Sequence, residues 1–170
     1  MTNHFELFGL APSFALDAGA LDRAFRELQA QVHPDRFAQA GDAERRASMQ
    51  WSTRANEAYR LLRDPVERAR YLLELHGVDT GFDTDTAMPG DFLARQIELR
   101  EALEEAKHKR DVAALEAMKR GLAASSRALQ AELASRIDRA QDYAGATGAV
   151  RQLQFLKRLA EEVDAAGDFD

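Results

Sequence analysis

Apolar residues recur at intervals of three and four positions through most of this chain, and the segments between them are rich in glycine, proline and aspartate. Such intervals are typical of amphipathic helices, whose apolar side chains share one face. Asp17, a favourable N-cap, precedes the clearest stripe and predicts a helix that begins near it and ends at Val32. The stripe consists of Leu21, Ala24, Phe25, Leu28 and Val32.

Three further helices are predicted around this one. A short helix covers about Phe5 to Leu10, and a long helix runs from about Asp42 to Arg63. The fourth has Asp64 as its N-cap, Pro65 at its first position and Gly77 as its C-terminal stop. On a helical wheel, the following residues lie near one side of the long helix: Met49, Ser52, Ala55, Asn56, Tyr59 and Leu62.

The second part of the chain begins after a turn-rich segment, residues 78–90, which contains Gly81, several Asp and Thr, and Pro89-Gly90. This composition is typical of a boundary between domains. The pattern beyond it predicts helices over Asp91–Lys109, Asp111–Ala140 and Ala149–Ala166, with a turn at Gly145–Gly148 before the last. Because short connections favour antiparallel neighbours, we expect these helices to form a three-helix bundle.

Alanine, leucine, glutamate and arginine, all good helix formers, dominate the composition, and no segment shows the alternation of a half-buried strand. We therefore expect an all-α fold. Its predicted organisation is an N-terminal domain over residues 1–77, a linker over 78–90 and the bundle over 91–170.

Charge and hydropathy narrow the possible partners. The net charge is −6 and no basic stripe is present, so we expect no nucleic-acid partner. No apolar run reaches the length of a membrane span, so we expect no membrane partner. Because the N-terminus shows no signal-peptide or presequence pattern, the expected location is the cytoplasm.

The residues that could carry chemistry are few. The chain has no cysteine, which excludes disulfides and thiolate ligation of an iron–sulfur cluster or a structural zinc. Its four histidines lie far apart and form no metal-ligand spacing, and no glycine-rich phosphate loop is present. We therefore expect no metal, no cofactor and no enzymatic activity of its own.

The tripeptide His33-Pro34-Asp35 stands immediately after the predicted helix that ends at Val32. Proline disfavours helix at its own position and at the residue before it, so residues 33–41 are predicted to form an exposed loop. This loop would have a rigid, polar surface, because it carries the imidazole ring of His33, the fixed φ angle of Pro34 and the carboxylate of Asp35. The tripeptide alone favours the simpler interpretation, a plain helix–loop–helix turn, because such a tripeptide arises by chance in many chains.

The flanking segments make the pattern specific. They are Phe8-Gly9-Leu10, residues 21–28 around Phe25, 56–65 with Asn56-Glu57-Ala58-Tyr59, 71–77 ending in His76-Gly77, 92–101 and 150–156. Their order and spacing resemble the HscB-type family of J-domain co-chaperones of iron–sulfur cluster assembly. The resemblance runs from about Phe5 to about Val163.

The resemblance implies that the first domain is a J-domain, the module that activates heat-shock chaperone ATPases of the DnaK/HscA type. His33, Pro34 and Asp35 would then engage the chaperone and trigger ATP hydrolysis. In related J-domains the outer face of the preceding helix is basic and meets an acidic surface. Here that face would consist of Arg23 and Arg26, with Arg36 beyond the tripeptide, and it is diluted by Asp22 and Glu27.

A second surface is predicted on the helix that begins at Asp91. One stripe, of Phe92, Leu99, Leu103 and Ala106, suits the bundle core, and in the last helix Leu153, Leu156, Ala160 and Val163 do the same. Outside those stripes lie Leu93, Ala94, Ile97, Glu98, Glu101, Glu105 and Phe155. On wheel geometry alone this set is either an interaction surface or a second packing face. The resemblance implies that it binds the IscU-type scaffold protein on which iron–sulfur clusters are built.

Two other functions remain open at this point. The chain is also compatible with a general J-domain co-chaperone that delivers other protein clients. It is compatible as well with a structural adaptor in which the tripeptide is inert. Neither a glycine/phenylalanine-rich linker nor a cysteine-rich zinc region, which general J-domain proteins usually carry, is present in the sequence.

Overall fold

Residues 3–37, 39–80 and 90–167 are described by a computed structural model. In these ranges the chain forms helices and no strand, which confirms the predicted all-α fold. The helices are α1 (His4–Leu7), α2 (Ala18–Val32), α3 (Asp42–Arg63), α4 (Pro65–Leu75), α5 (Gly90–Lys109), α6 (Val112–Ala134) and α7 (Tyr143–Gly167). A 3₁₀ turn covers Pro34–Phe37, and a π-helical turn covers Ser135–Arg139.

Three predicted helix ends are confirmed, the N-caps at Asp17 and Asp64 and the C-terminal stop at Gly77. Others differ: α1 ends at Leu7 and not near Leu10, and α6 ends at Ala134 and not near Ala140. The Asp17 carboxylate accepts a hydrogen bond of 2.8 Å from the Gly19 amide, and the Asp64 carboxylate accepts one of 2.8 Å from the Val66 amide. Gly77 follows α4 with a φ angle of +73°, a left-handed conformation that is strained for residues with a Cβ. These caps pair amide groups that would otherwise lack a partner at the helix N-termini.

The chain divides into two compact units, residues 1–72 and 73–170, and the division falls inside α4. The predicted domain limits of 1–77, 78–90 and 91–170 stay a prediction, and residues 81–89 of the linker lie outside the described residues. The core of the first unit contains Phe5, Leu21, Leu62 and Leu72, all fully or almost fully buried.

The inner face of α3 differs from the prediction at one position. Met49 is 60% exposed, whereas the neighbouring Ser48 is buried. Successive helical residues are rotated by about 100°, so only one of these two side chains can face α2. The polar side chain occupies that position because its hydroxyl finds a partner there, the Val32 carbonyl oxygen at 2.6 Å.

In the second unit, α5, α6 and α7 contact one another in every pair, as expected for the predicted bundle. The core positions predicted on α5 and α7 are buried or half-buried, and Leu159, which was not among them, is fully buried. The buried residues of the core shared by the three helices are Leu103, Ala106, Leu115, Leu122, Leu156, Leu159 and Val163.

The turn predicted at Gly145–Gly148 is wrong, because those residues lie inside α7, which begins at Tyr143. The chain reverses at Ala140–Asp142, where Gln141 has a φ angle of +52°. The Asp142 carboxylate accepts a 2.9 Å hydrogen bond from the Gly145 amide, so it caps α7. A Cβ at Gly145 would lie 2.0 Å from a carboxylate oxygen of Asp142. This glycine therefore makes room for a helix cap and does not break the helix.

Candidate functional site

The tripeptide predicted to engage a partner lies where α2 ends. Val32 is the last helical residue, and His33 continues in an extended conformation, with φ −61° and ψ 130°. Residues 33–41 were predicted to form an exposed loop, and Pro34–Phe37 within it form a 3₁₀ turn. The φ angle of proline already suits such a turn, and the Arg36 amide donates a 3.0 Å hydrogen bond to the His33 carbonyl.

Two side chains of this turn, those of His33 and Asp35, face the solvent. The His33 side chain is 57% exposed and that of Asp35 is 90% exposed. His33 Nδ1 accepts a 3.3 Å hydrogen bond from the Asp35 amide and lies 3.6 Å from the Asp35 carboxylate. The turn thus presents an imidazole and a carboxylate side by side, within reach of a partner protein.

Two side chains bond to the backbone carbonyls at the end of α2. The buried Ser48 hydroxyl of α3 donates to the Val32 carbonyl at 2.6 Å. The Arg36 guanidinium donates to the Ala30 carbonyl at 2.9 Å. The last carbonyls of a helix have no partner within the helix, so these two bonds satisfy groups that would otherwise depend on water. Neither bond is visible in the local pattern of the sequence.

The basic face predicted on α2 is exposed at Arg23 and Arg26, and a guanidinium nitrogen of Arg23 lies 4.0 Å from the Asp17 carboxylate. Arg36 is exposed too, although its guanidinium turns back toward the end of α2. Glu27 shares this exposed side of the helix.

Asp22 weakens this basic face less than the sequence suggested, because its carboxylate turns toward α3. It accepts a 2.9 Å hydrogen bond from the Tyr59 hydroxyl and forms an ion pair with Arg63. These partners lie 37 and 41 positions away in the chain, so sequence reasoning did not find them. The hydrogen bonds from Arg63 and from Tyr59 hold the pKa of the Asp22 carboxyl below its ordinary value.

A pH-dependent contribution to stability follows from Asp22. Because folding lowers its pKa, the stabilisation is present above the ordinary carboxyl pKa of about 4 and is lost as the pH falls through the lowered value. We expect Asp22→Asn to lower the melting temperature at neutral pH, and the difference from the unmodified chain to shrink in acid. Thermal melting followed by circular dichroism over a pH series measures this. Melting curves that differ equally at every pH would contradict it.

The second predicted surface lies on the outer side of α5. Leu93 is 44% exposed and Ile97 is 60% exposed, and Ala94 between them is exposed as well. The three predicted glutamates, Glu98, Glu101 and Glu105, are exposed on the same helix. Leu93, Ala94 and Ile97 are neighbours on this helix, and contiguous exposed apolar groups are a feature of interaction sites. The structure therefore brings six of the seven predicted residues onto one exposed helix, an apolar group followed by carboxylates.

Two of these glutamates form ion pairs within α5. The Glu98 carboxylate lies 3.3 Å from the Arg95 guanidinium, and the Glu105 carboxylate lies 2.5 Å from the Lys109 ammonium group. Lys109 holds the pKa of the Glu105 carboxyl below its ordinary value, first through a hydrogen bond and then through its charge. Both pairs are solvent-exposed, so their contribution to the stability of the helix is small.

Phe155, the seventh residue, has a different environment. It is half-buried and packs against the core that α5, α6 and α7 share. Its ring meets that of Phe92 edge-on, with 5.6 Å between centroids, and the Arg100 guanidinium lies 5.6 Å from its centroid. Phe155 is thus partly a packing residue, and Arg100, which the sequence did not indicate, covers its outer side.

Within the part of the chain that the structure describes, neither a metal-ligand cluster nor a membrane-spanning helix is found. Residues 3–37, 39–80 and 90–167 contain no cluster of histidine, aspartate or glutamate that could hold a metal ion. No helix within the same ranges is long and apolar enough to cross a membrane.

Known proteins with similar sequences match this chain over almost its full length. Residues 88–164 match the family model described as the HSCB C-terminal oligomerisation domain. A co-chaperone protein HscB homolog from Burkholderia multivorans is 54% identical over 163 residues, which cover 96% of this chain and 93% of the relative. The similarity therefore includes the tripeptide as well as the bundle.

Two solved structures are similar in fold. Chaperone HscB from Vibrio cholerae matches with a TM-score of 0.86 and 37% identity, over 98% of each chain. Human co-chaperone protein HscB matches with a TM-score of 0.89 and 29% identity, over 96% of this chain and 81% of the human one. The helices described above thus follow an arrangement already seen in experimental structures.

Proposed function

This chain belongs to the HscB family of co-chaperones, and we propose that it stimulates the ATPase of a DnaK/HscA-type chaperone and delivers an IscU-type scaffold protein to it. The result would be faster ATP hydrolysis and promoted transfer of an iron–sulfur cluster from the scaffold to an acceptor. The cluster is cargo of the scaffold, which agrees with the absence of cysteine from this chain. We place this activity in the cytoplasm.

The observation that carries the proposal is that the exposed His33 and Asp35 side chains stand on a 3₁₀ turn at the end of α2. The exposed Asp35 carboxylate can accept charge-assisted hydrogen bonds from an arginine of the chaperone. The ordered turn lowers the entropy that binding must remove. In this mechanism the co-chaperone adds no catalytic group; it favours the conformation of the chaperone that hydrolyses ATP.

The exposed face of α5 supports the second half of the proposal. Exposed apolar side chains next to carboxylates resemble the apolar core and the polar rim of a protein interface. A chain that binds both partners raises the effective concentration of the scaffold near the chaperone. A general J-domain co-chaperone for other clients would not require this particular face.

The proposal is tested by measuring ATP hydrolysis by the purified chaperone in the presence of this chain, the scaffold protein, or both. We expect the rate with both to exceed the sum of the separate effects, because the scaffold reaches the chaperone already bound. An unfolded model client in place of the scaffold is the control for general J-domain activity. Equal stimulation with that client would favour the alternative, and no stimulation under any condition would favour an inert adaptor.

A further inference from the structure

Ser48 is unusual among the polar residues of this chain. Of the residues that the structure describes, only Ser48 and Thr80 are polar and buried. Burial of a hydroxyl is unfavourable unless it forms a hydrogen bond, and the Ser48 hydroxyl forms a short one, 2.6 Å, with the Val32 carbonyl. A buried polar group with a single well-defined partner fixes the geometry of what it binds.

That partner lies directly before the tripeptide. Val32 is the last residue of α2, and its carbonyl carbon is bonded to the nitrogen of His33. Many helices end with a glycine in the left-handed conformation, which redirects the chain, but α2 ends with His33 in an extended conformation. The direction in which the chain leaves α2 therefore depends on contacts from outside the helix. Ser48 supplies one such contact from α3, and Arg36 supplies another at the Ala30 carbonyl.

We propose that Ser48 is a positioning residue for the tripeptide. Its hydrogen bond to the Val32 carbonyl holds the end of α2 in one conformation and so orients His33 and Asp35 for the chaperone. The inference rests on the proposed function, because the orientation of the tripeptide matters only if a partner protein binds it. Ser48 itself is buried and would not touch the chaperone.

The expected consequence is a change in apparent affinity. Proline fixes one φ angle of the turn, but it does not fix the backbone angles of Val32 and His33. Without the hydroxyl, the Val32 carbonyl must bond to water, and the last turn of α2 can fray. Only a fraction of the molecules would then present the tripeptide in the competent orientation. Apparent affinity falls by that fraction, whereas the complex, once formed, is unchanged.

The experiment compares Ser48→Ala with the unmodified full-length chain in a titration of chaperone ATPase activity. We expect the concentration needed for half-maximal stimulation to rise about fivefold, with an unchanged maximal rate. Ser48→Thr, which keeps the hydroxyl, should recover most of the affinity. Ser52→Ala is the matched control, because Ser52 lies one turn further along α3 at a half-buried position. It should leave the titration curve unchanged.

A second readout follows the turn directly. Hydrogen exchange of the His33, Asp35 and Arg36 amides should become faster in Ser48→Ala, while exchange in α4 stays the same. An identical titration curve together with identical exchange would overturn the inference. So would equal losses in Ser48→Ala and Ser52→Ala, which would indicate a general weakening of α3.

Failure of the proposed function is distinguishable from failure of this inference. If the unmodified chain gives no stimulation of the chaperone, the proposed function is wrong. The exchange measurement then still decides whether Ser48 orders the turn.

Discussion

Replacement of His33 by glutamine is expected to abolish stimulation of the chaperone ATPase while helicity and melting temperature stay unchanged. The His33 side chain is more than half exposed, and among the described residues its polar contacts are with Asp35 of the same turn. Removal of an exposed side chain with no packing role typically changes stability by less than about 0.5 kcal/mol. The same side chain lies at the centre of the surface that we propose for the chaperone. Steady-state ATP hydrolysis and thermal melting of the same preparation measure the two effects.

His108→Gln is the matched control for this variant. His108 is an exposed histidine near the C-terminal end of α5, one turn beyond Glu105 and far along the chain from the His33-Pro34-Asp35 turn. It should retain full stimulation, and His33→Gln should still bind the scaffold protein, since α5 is untouched. Stimulation that survives in His33→Gln would rule out the J-domain mechanism for this chain.

The parts of the fold that were predicted correctly depend on signals close together in the sequence. Asp17 and Asp64 precede apolar stripes and cap helices, and each accepts from an amide only two positions ahead. Gly77 ends α4 in the left-handed conformation that its lack of a Cβ allows. The limits of α3 at Asp42 and Arg63 follow from the same kind of local information.

The errors arise where a distant or unusual partner decides the local structure. Gly145 suggested a turn, but the Asp142 carboxylate occupies the space that a side chain would need, and α7 continues through it. Met49 was predicted on the inner side of α3, but it is exposed and the neighbouring Ser48 is buried instead. The reason is that a backbone carbonyl 16 positions away accepts a hydrogen bond from the serine. Neither partner can be recognised from helical periodicity.

The candidate sites, too, could be predicted where they depend on local sequence and not where they depend on distant partners. An exposed tripeptide and an apolar stripe outside the core are local properties, so residues 33–35 and Leu93, Ala94 and Ile97 could be found from the sequence and its family resemblance. The packing of Phe155 on Phe92, and its cover by Arg100, depends on how α5 and α7 meet. The wheel of α7 alone placed Phe155 outside the core stripe and could not show these contacts.

Leu93→Ala combined with Ile97→Ala is expected to weaken scaffold binding by about 30-fold or more without a large change in melting temperature. Apolar anchors at an interface typically cost about 1–4 kcal/mol each on truncation, and each 1.4 kcal/mol is about tenfold in affinity. Both side chains are exposed in the free chain, so their removal creates no cavity there. Calorimetric titration with the scaffold protein and thermal melting of the same variant measure binding and stability separately.

Phe155→Ala is examined alone because its ring also packs against the bundle. Loss of its contacts with Phe92 and the shared core should lower the melting temperature as well as the affinity.

Truncation of Glu98, Glu101 and Glu105 to alanine should instead slow association and flatten its dependence on salt, because rim charges act chiefly by steering. The three kinds of variant thus separate anchor, packing and steering roles on one surface.

The result for Leu93 and Ile97 decides how the outer face of α5 is understood. If these side chains bind the scaffold, affinity falls and the melting temperature does not. A large drop in melting temperature with little specific loss of binding would mean that the same side chains stabilise the bundle in solution. The proposal of a scaffold-binding site on α5 would then lose its main support, whereas the role of the His33-Pro34-Asp35 turn would still be decided by the ATPase measurements.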